Sequence, residues 1–88
     1  MSKSLDRYSH KVTRELKYQR FHHRESRVRI LIGIVYLYAK GLSDSQIAAI
    51  EPLSESLIHA IIQTYEQGGI HALEDSAFLP EEERGETP

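Results

Sequence analysis

The sequence predicts an all-α protein, a small helical bundle of four main helices followed by a short closing turn. Apolar residues recur at intervals of three and four along most of the chain, which is the pattern of helices that each bury one face. Serine precedes three of these apolar segments, as an N-cap would, and glycine or proline follows the same three. A chain of 88 residues is expected to form a single domain.

The first helix is predicted to run from Leu5 to His23. Its apolar residues share one face, and basic residues advance in steps of three or four along the other side. A row of cations of this kind can follow a phosphate backbone, and it can equally be a solvated helix face. The apolar positions are Leu5, Tyr8, Val12, Leu16 and Phe21, and the basic ones are Arg7, Lys11, Arg14, Lys17, Arg20 and Arg24.

The second helix is predicted from Arg27 to Lys40, with Ser26 as its N-cap and Gly41 as its stop. Its β-branched residues would also suit a buried strand, but the segment is long for a strand. Because the helix is apolar nearly all round, it needs cover on two sides. The first helix and the segment after Gly41 could supply that cover, or a second copy of the chain. Gly33 in mid-helix suggests a closely packed neighbour.

A short third helix and a longer fourth helix follow. Ser43 is the predicted N-cap of the third, whose inward face is Ile47, Ala48 and Ile50. Glu51 to Leu53 forms a turn, because Pro52 cannot extend the helix before it. Ser54 then caps the fourth helix, Gly68-Gly69 ends it, and a closing turn packs back on the core. The inward residues of the fourth helix and closing turn are Leu57, Ile58, Ile61, Ile62, Tyr65, Ile70 and Leu73.

Charge is distributed unevenly along the chain. Residues 1–30 hold nine basic and three acidic residues, a net charge of +6, whereas residues 31–88 hold two basic and ten acidic residues, a net charge of −8. Such a division suggests a half that binds a polyanion beside a solvated or self-masking half. The alternative is that the two halves neutralise each other across an interface, within one chain or between two.

From Gly41 to Leu73 the residue order resembles the helix-turn-helix modules at the N-termini of bacterial insertion-sequence transposases and of related homeodomain-like regulators. With the preceding apolar helix the resemblance covers about half the chain, and residues 1–24 have no counterpart in it. Three regions are therefore predicted: a basic N-terminal helix over 1–25, a helix-turn-helix core over 26–73 that the resemblance implies, and an acidic, flexible tail over 74–88 that its charge and lack of periodicity indicate. The matching residues are Gly41-Leu42-Ser43, Ile47-Ala48, Ser54, Ile58, Tyr65, Gly68-Gly69-Ile70 and Leu73.

The resemblance implies that residues 54–67 form a recognition helix for the DNA major groove. Hydroxyl, imidazole and amide groups on its exposed face can hydrogen-bond base edges. Two departures stand against this: Pro52 occupies a turn that usually holds glycine, and the helix has no Lys or Arg but carries Glu55 and Glu66. The predicted groove-facing residues are Ser54, Ser56, His59 and Gln63.

The first thirty residues are predicted to supply the phosphate contacts that the recognition helix lacks, since phosphate contacts position a protein and base contacts specify its site. If about six cations met phosphates, affinity would fall roughly as the fifth power of the salt concentration. The predicted contacts are Arg7, Lys11, Arg14, Arg20, Arg24, Arg27 and Arg29.

Two functions are therefore open. The first is a small DNA-binding protein, either a transcriptional regulator or a transposase-type module, that binds double-stranded DNA and dimerises to reach two half-sites. The second is a helix-turn-helix relative converted to protein binding, whose acidic recognition helix and acidic tail mimic DNA or occupy a basic partner.

Composition argues against other classes of function. The chain has no cysteine, so disulfides and cysteine-ligated metals are excluded. We predict no metal site at His10, His22 or His23, no catalytic residues, no cofactor and no enzymatic activity. The longest apolar run, Ile30 to Ala39, is too short to span a bilayer, and the charged N-terminal residues lack the apolar segment of a secretory signal. We therefore expect a cytoplasmic protein without a membrane partner.

Overall fold

Four α-helices make up the structure, a computed structural model that describes residues 6–79. They are α1 (His10–His22), α2 (Ser26–Ala39), α3 (Asp44–Ile50) and α4 (Glu55–Asp75), and residues 6–79 contain no strand. The predicted all-α class and the four main helices are confirmed.

The second helix forms the centre of the fold and contacts each of the other three. It is covered on one side by α1 and on another by α3 and α4, as its all-round apolar character requires. The surface that the sequence offered for a dimer along α2 is thus largely occupied by the chain's own helices, although Ile30 keeps 38% of its surface exposed. The buried core consists of Leu16, Val28, Leu31, Ile32, Ile34, Val35, Ala39, Ile47, Ile58, Ile61, Ile62 and Leu73.

The first helix begins later than the sequence pattern indicated. Ser9 is its N-cap, with an extended backbone and a hydroxyl oxygen that accepts the Val12 N–H. Tyr8 therefore lies before the helix, where its ring packs against Tyr38 and Tyr65. Its spacing of four residues from Val12 predicted that Tyr8 is helical, and this prediction is wrong. A residue just before a helix can share the buried face of that helix without being part of it. Leu5, the predicted start, lies outside the described residues.

The N-cap of α2 is Glu25, which makes no side-chain cap hydrogen bond, and Ser26 is the first helical residue. The stop at Gly41 is confirmed, since its φ of 106° is a conformation that favours glycine. Gly33 has no tightly packed neighbour: the atom nearest to a Cβ built there would be Arg20 Nε at 3.7 Å, an ordinary contact distance. The predicted close approach at Gly33 is therefore wrong.

The fourth helix bends sharply at Gly69, whose φ of 71° and ψ of −162° belong to a region that only glycine adopts readily. Residues 70–75 then form a last helical segment that returns to the core and buries Leu73. Phe78 and Leu79 pack against the same core. The folded structure thus continues past Glu74, where the sequence placed the start of the tail. Within residues 6–79, no helix combines the length and apolar character needed to cross a membrane.

Candidate nucleic-acid interface

The helices α3 and α4 begin at capped N-termini and are joined by a short turn. Ser43 and Gln46 form a capping box, in which the Ser43 hydroxyl oxygen accepts the Gln46 N–H at 3.2 Å and the Gln46 side-chain oxygen accepts the Ser43 N–H at 2.9 Å. Residues 51–53 leave the helical conformation, and Ser54 caps α4 by accepting the Leu57 N–H at 3.1 Å. Both predicted N-caps are confirmed. Ile50 was predicted to face inward, but its side chain is 55% exposed. Ile47 is the one residue of α3 that is fully buried.

The four predicted groove-facing residues are all exposed on α4 or at its cap. The hydroxyl oxygen of Ser54 accepts the cap hydrogen bond, so Ser54 keeps its O–H donor and one acceptor lone pair for another partner. His59 reaches across to α3, with its Nδ1 at 3.4 Å from Asp44 Oδ2. Ser56 and Gln63 are exposed along the same helix. No Lys or Arg occurs between residues 54 and 75, so this surface offers polar groups without positive charge.

Arg27 does not fit its predicted role as a phosphate contact. Its side chain is only 10% exposed, and its guanidinium donates to the carbonyl oxygens of Glu74, Ser76 and Phe78 at 2.8, 3.0 and 2.9 Å. These bonds tie the C-terminal segment to α2. A guanidinium with five fixed donors suits a cluster of carbonyl oxygens better than any other side chain. Arg27 is therefore a structural residue, and we remove it from the candidate interface.

Arg7 and Arg29 are partly committed to the fold as well. The Arg7 guanidinium donates to the carbonyl oxygens of Tyr38 and Leu42, each at 2.7 Å, and lies 4.0 Å above the centre of the Tyr38 ring. A cation in this position stabilises the C-terminal end of α2, because the last carbonyl groups of a helix lack hydrogen-bond partners within it and carry partial negative charge. Arg29 donates to the His23 carbonyl oxygen in the α1–α2 connector.

The remaining predicted cations are accessible on α1 and its connector. Lys11, Arg14 and Arg24 are exposed, and Arg20 is half-buried with its guanidinium 4.9 Å from the ring centres of both Phe21 and Tyr36. Stacking of this kind holds a guanidinium in place while leaving its edge donors available.

The basic side of α1 faces away from α4. Tyr8 and Val12 border a groove shared with Tyr65 and Glu66 of α4. Arg14 and Lys17 instead line a depression on the other side of α1, against α2. Arg14 and Lys17, in the middle of the predicted phosphate row, therefore line a depression that includes no residue of α4.

Residues of α1 and α2 share a further depression with the turn between α3 and α4. Glu51, the first residue of this turn, lines a depression together with Arg20 at the end of α1 and Arg29 on α2. Gly33 and Ile30 of α2 complete its walls. Ser54, the N-cap of α4, follows Glu51 by three residues in the chain. Sequence reasoning assigned Glu51 to the turn and missed this position, because residues 20 and 51 approach only after α2 and α3 have packed.

An acidic side chain of α4 has a partner within the fold. Glu66 Oε2 accepts the Tyr8 hydroxyl hydrogen at 2.8 Å. Burial, followed by the hydrogen bond to Glu66, raises the pKa of the Tyr8 hydroxyl well above its ordinary value. Tyr8 therefore stays protonated and remains a donor to Glu66 at physiological pH.

A second acid, Glu74, binds the end of α1. Its carboxylate lies 2.7 Å from His23 Nε2 and 3.2 Å from His71 Nδ1. Nδ1 of His23 accepts the Glu25 N–H, so the neutral tautomer with hydrogen on Nε2 satisfies both contacts. The hydrogen bond from His23 lowers the pKa of Glu74. His23 thus joins the end of α1 to α4. Within residues 6–79, no group of three or more histidine or acidic side chains is placed to hold a metal ion.

The lowered pKa of Glu74 predicts a contribution to stability that acid removes. The contribution is present above the ordinary Glu pKa of 4.5 and is lost as the pH falls through the lower folded value. We expect Glu74→Gln to lower the melting temperature at pH 6, and the difference from the unaltered protein to shrink as the pH falls below 4.5. Melting followed by circular dichroism across this range measures it. Asp75→Asn is the control, and an equal pH trend in both variants would contradict the assignment.

No family model, no curated protein and no solved structure matches this chain.

Proposed function

We propose that the protein binds double-stranded DNA as a small helix-turn-helix transcriptional regulator or transposase-type module. The start of α4 enters the major groove, and cations at the end of α1 and in its connector hold the flanking phosphates. The observation that supports this most strongly is the depression shared by Glu51, Arg20 and Arg29. Helix-turn-helix proteins contact base edges with the N-terminal residues of the second helix. Glu51 precedes Ser54 by only three residues, so we expect one duplex to reach both the basic end of α1 and that part of α4.

Each exposed residue then has a distinct role. Lys11, Arg14, Arg20 and Arg24 hold phosphates, and Arg29 adds the donors that its bond to His23 leaves available. Ser54 is the N-cap of α4, and Ser56 and His59 lie in its first two turns. Gln63 lies about 13 Å beyond Ser54 at the helical rise of 1.5 Å per residue. We expect Gln63 to contact DNA only where the groove follows α4 along its length.

Salt dependence tests this proposal. A fluorescent mixed-sequence duplex of about two helical turns is titrated with the protein at 50 and 200 mM NaCl, with anisotropy as the readout. Five phosphate contacts predict a slope of log affinity against log salt of about −4.5, which is roughly a 500-fold loss between the two salt concentrations. A homodimer on two half-sites would appear as a two-to-one complex in sedimentation of the same mixture. Undetectable binding at 50 mM NaCl would refute the proposal.

The acid in the basic depression gives a more specific prediction. Glu51 lies where a phosphate is expected, so Glu51→Gln should strengthen duplex binding about threefold at 50 mM NaCl by removing a like-charge repulsion. Glu15→Gln removes the same charge from the side of α1 that faces Tyr65, and we expect it to leave the affinity unchanged. Equal effects of the two substitutions, measured by the same anisotropy titration, would indicate a response to net charge alone.

A second function, binding of a basic protein partner, is favoured by one observation. The exposed surface of α4 from residue 54 to 75 carries acids and no Lys or Arg. If this is the working surface, adding a lysine-rich peptide should shift the NMR amide signals of Ser56 and Gln63, and adding duplex should not. The DNA proposal expects the opposite result.

A further inference from the structure

The solvent-facing side of α1 carries two exposed aromatic rings. Lys11, Arg14, Tyr18 and Phe21 follow one another at intervals of three and four, so they form one stripe along the helix. This stripe lies on the side of α1 opposite the buried Leu16. Tyr18 and Phe21 are 57% and 65% exposed, the highest values among the large apolar side chains of residues 6–79. A solvated helix face carries polar residues at such positions, so solvation alone does not account for the stripe.

The Tyr18 ring is held in place by its neighbour on the next turn. The rings of Tyr18 and His22 stack with their centres 4.0 Å apart and their planes at 6° to each other. His22 Nδ1 donates to the Tyr18 carbonyl oxygen at 2.8 Å, which fixes the imidazole against this face of the Tyr18 ring. The opposite face of Tyr18 is the one available to a further planar group. Because the ring is ordered in advance, a stacking ligand loses less entropy on binding.

Phe21 lies beside two cations. The guanidinium carbon of Arg20 is 4.9 Å from the centre of the Phe21 ring, and Phe21 lines one depression together with Arg20 and Arg29. Lys17, which is exposed, precedes Phe21 by one turn of α1. A ring surrounded by cations suits a ligand that has both a planar group and negative charge. A nucleotide combines these two features in its base and its phosphate.

We propose that the exposed stripe of α1 binds single-stranded nucleic acid. Bases stack on Tyr18 and Phe21, and Arg14, Lys17 and Arg20 hold the phosphates that join them. A duplex cannot use the two rings in this way, because the faces of its bases are already stacked on one another. The cations are shared with the proposed duplex contact and the rings are not, so single-strand binding does not depend on groove recognition by α4.

An anionic membrane surface is the main alternative for a basic helix with exposed rings. A helix that binds in this way immerses a continuous apolar face in the lipid. The apolar face of α1 is instead packed on the core, through Leu16 and Val12. Lys11 and Arg14 lie in the same stripe as the rings, and immersion would remove their charges from water. The arrangement therefore favours nucleic acid over lipid.

Anisotropy titration with a fluorescein-labelled oligothymidine of about twelve nucleotides tests the proposal at 50 mM NaCl. An oligouridine of the same length is the second probe, and the tighter ligand identifies the bound strand as DNA or RNA. Tyr18→Leu and Phe21→Leu should each weaken binding about tenfold, because each removes stacking on one base. Tyr18→Phe and Phe21→Tyr keep the rings and should keep the affinity within about twofold. Ile50→Ala shortens another exposed apolar side chain, on α3, and should leave the affinity unchanged.

A second measurement shows whether the rings themselves contact bases. Stacking on a base should move the NMR signals of the Phe21 ring protons upfield, whereas those of Phe78, which packs against the core, should not move. The proposal is overturned if the leucine variants lose single-strand and duplex affinity equally, or if the protein binds phosphatidylserine vesicles but not oligothymidine. Single-strand binding without duplex binding would refute only the proposed function, and the reverse result only this inference.

Discussion

Replacing Arg14, Arg20 and Arg24 together by glutamate is expected to abolish duplex binding at 50 mM NaCl. Each replacement removes a cation from the proposed phosphate-binding surface and adds a charge that repels phosphate, so the losses accumulate. We expect the affinity to fall by at least about 100-fold. The measurement is the same anisotropy titration with a mixed-sequence duplex.

Two further variants show whether position or net charge is responsible for the loss. The triple replacement of the same arginines by glutamine removes the contacts without the repulsion, and should give an intermediate loss. Gln67→Glu adds a negative charge at an exposed position of α4 beyond the proposed contacts, and should change the affinity less than threefold. Circular dichroism establishes that each variant is folded. Duplex binding by the folded glutamate triple variant at the unaltered affinity would rule out α1 as the phosphate-binding element.

The parts of the fold that sequence reasoning predicted well are those determined by neighbouring residues. Ser43 and Ser54 cap helices through bonds to N–H groups three residues ahead, so a local motif suffices to find them. Pro52 disfavours helix at Glu51 because the proline ring clashes with the backbone of the residue before it, which is also a local effect. The start of α1 was misplaced because Ser9 competes with an apolar pattern that extends before it.

The candidate interface was predicted less well because an arginine's role depends on partners far away in sequence. Arg24 and Arg27 cannot be distinguished by the spacing of residues in the sequence. In the structure Arg27 donates to carbonyl groups 47 to 51 residues later, whereas Arg24 is exposed. The same holds for Arg7, whose acceptors are 31 and 35 residues away. No local signal separates a cation that closes the fold from one that meets a phosphate.

Arg27→Met is expected to cause the largest loss of stability of any arginine substitution within residues 6–79. It leaves the carbonyl groups of Glu74, Ser76 and Phe78 without their donor, and the segment after Leu73 can regain hydrogen bonds only by leaving the core for water. A buried guanidinium with three such bonds suggests a loss of about 3 kcal/mol in the free energy of unfolding. For a domain of this size that corresponds to roughly 15 °C in melting temperature.

Comparison with two other substitutions separates the geometry of the Arg27 contacts from their charge. Arg27→Lys keeps the charge but cannot reach three carbonyl oxygens at fixed angles, so its melting temperature should lie between those of Arg27→Met and the unaltered protein. Arg24→Met, an exposed arginine three residues earlier, should change the free energy of unfolding by less than about 0.5 kcal/mol. Measured well below its melting temperature, Arg27→Met should still bind duplex with unaltered affinity. If Arg27→Met keeps its stability but loses DNA binding, the structural role assigned to Arg27 is wrong and Arg27 contacts phosphate instead.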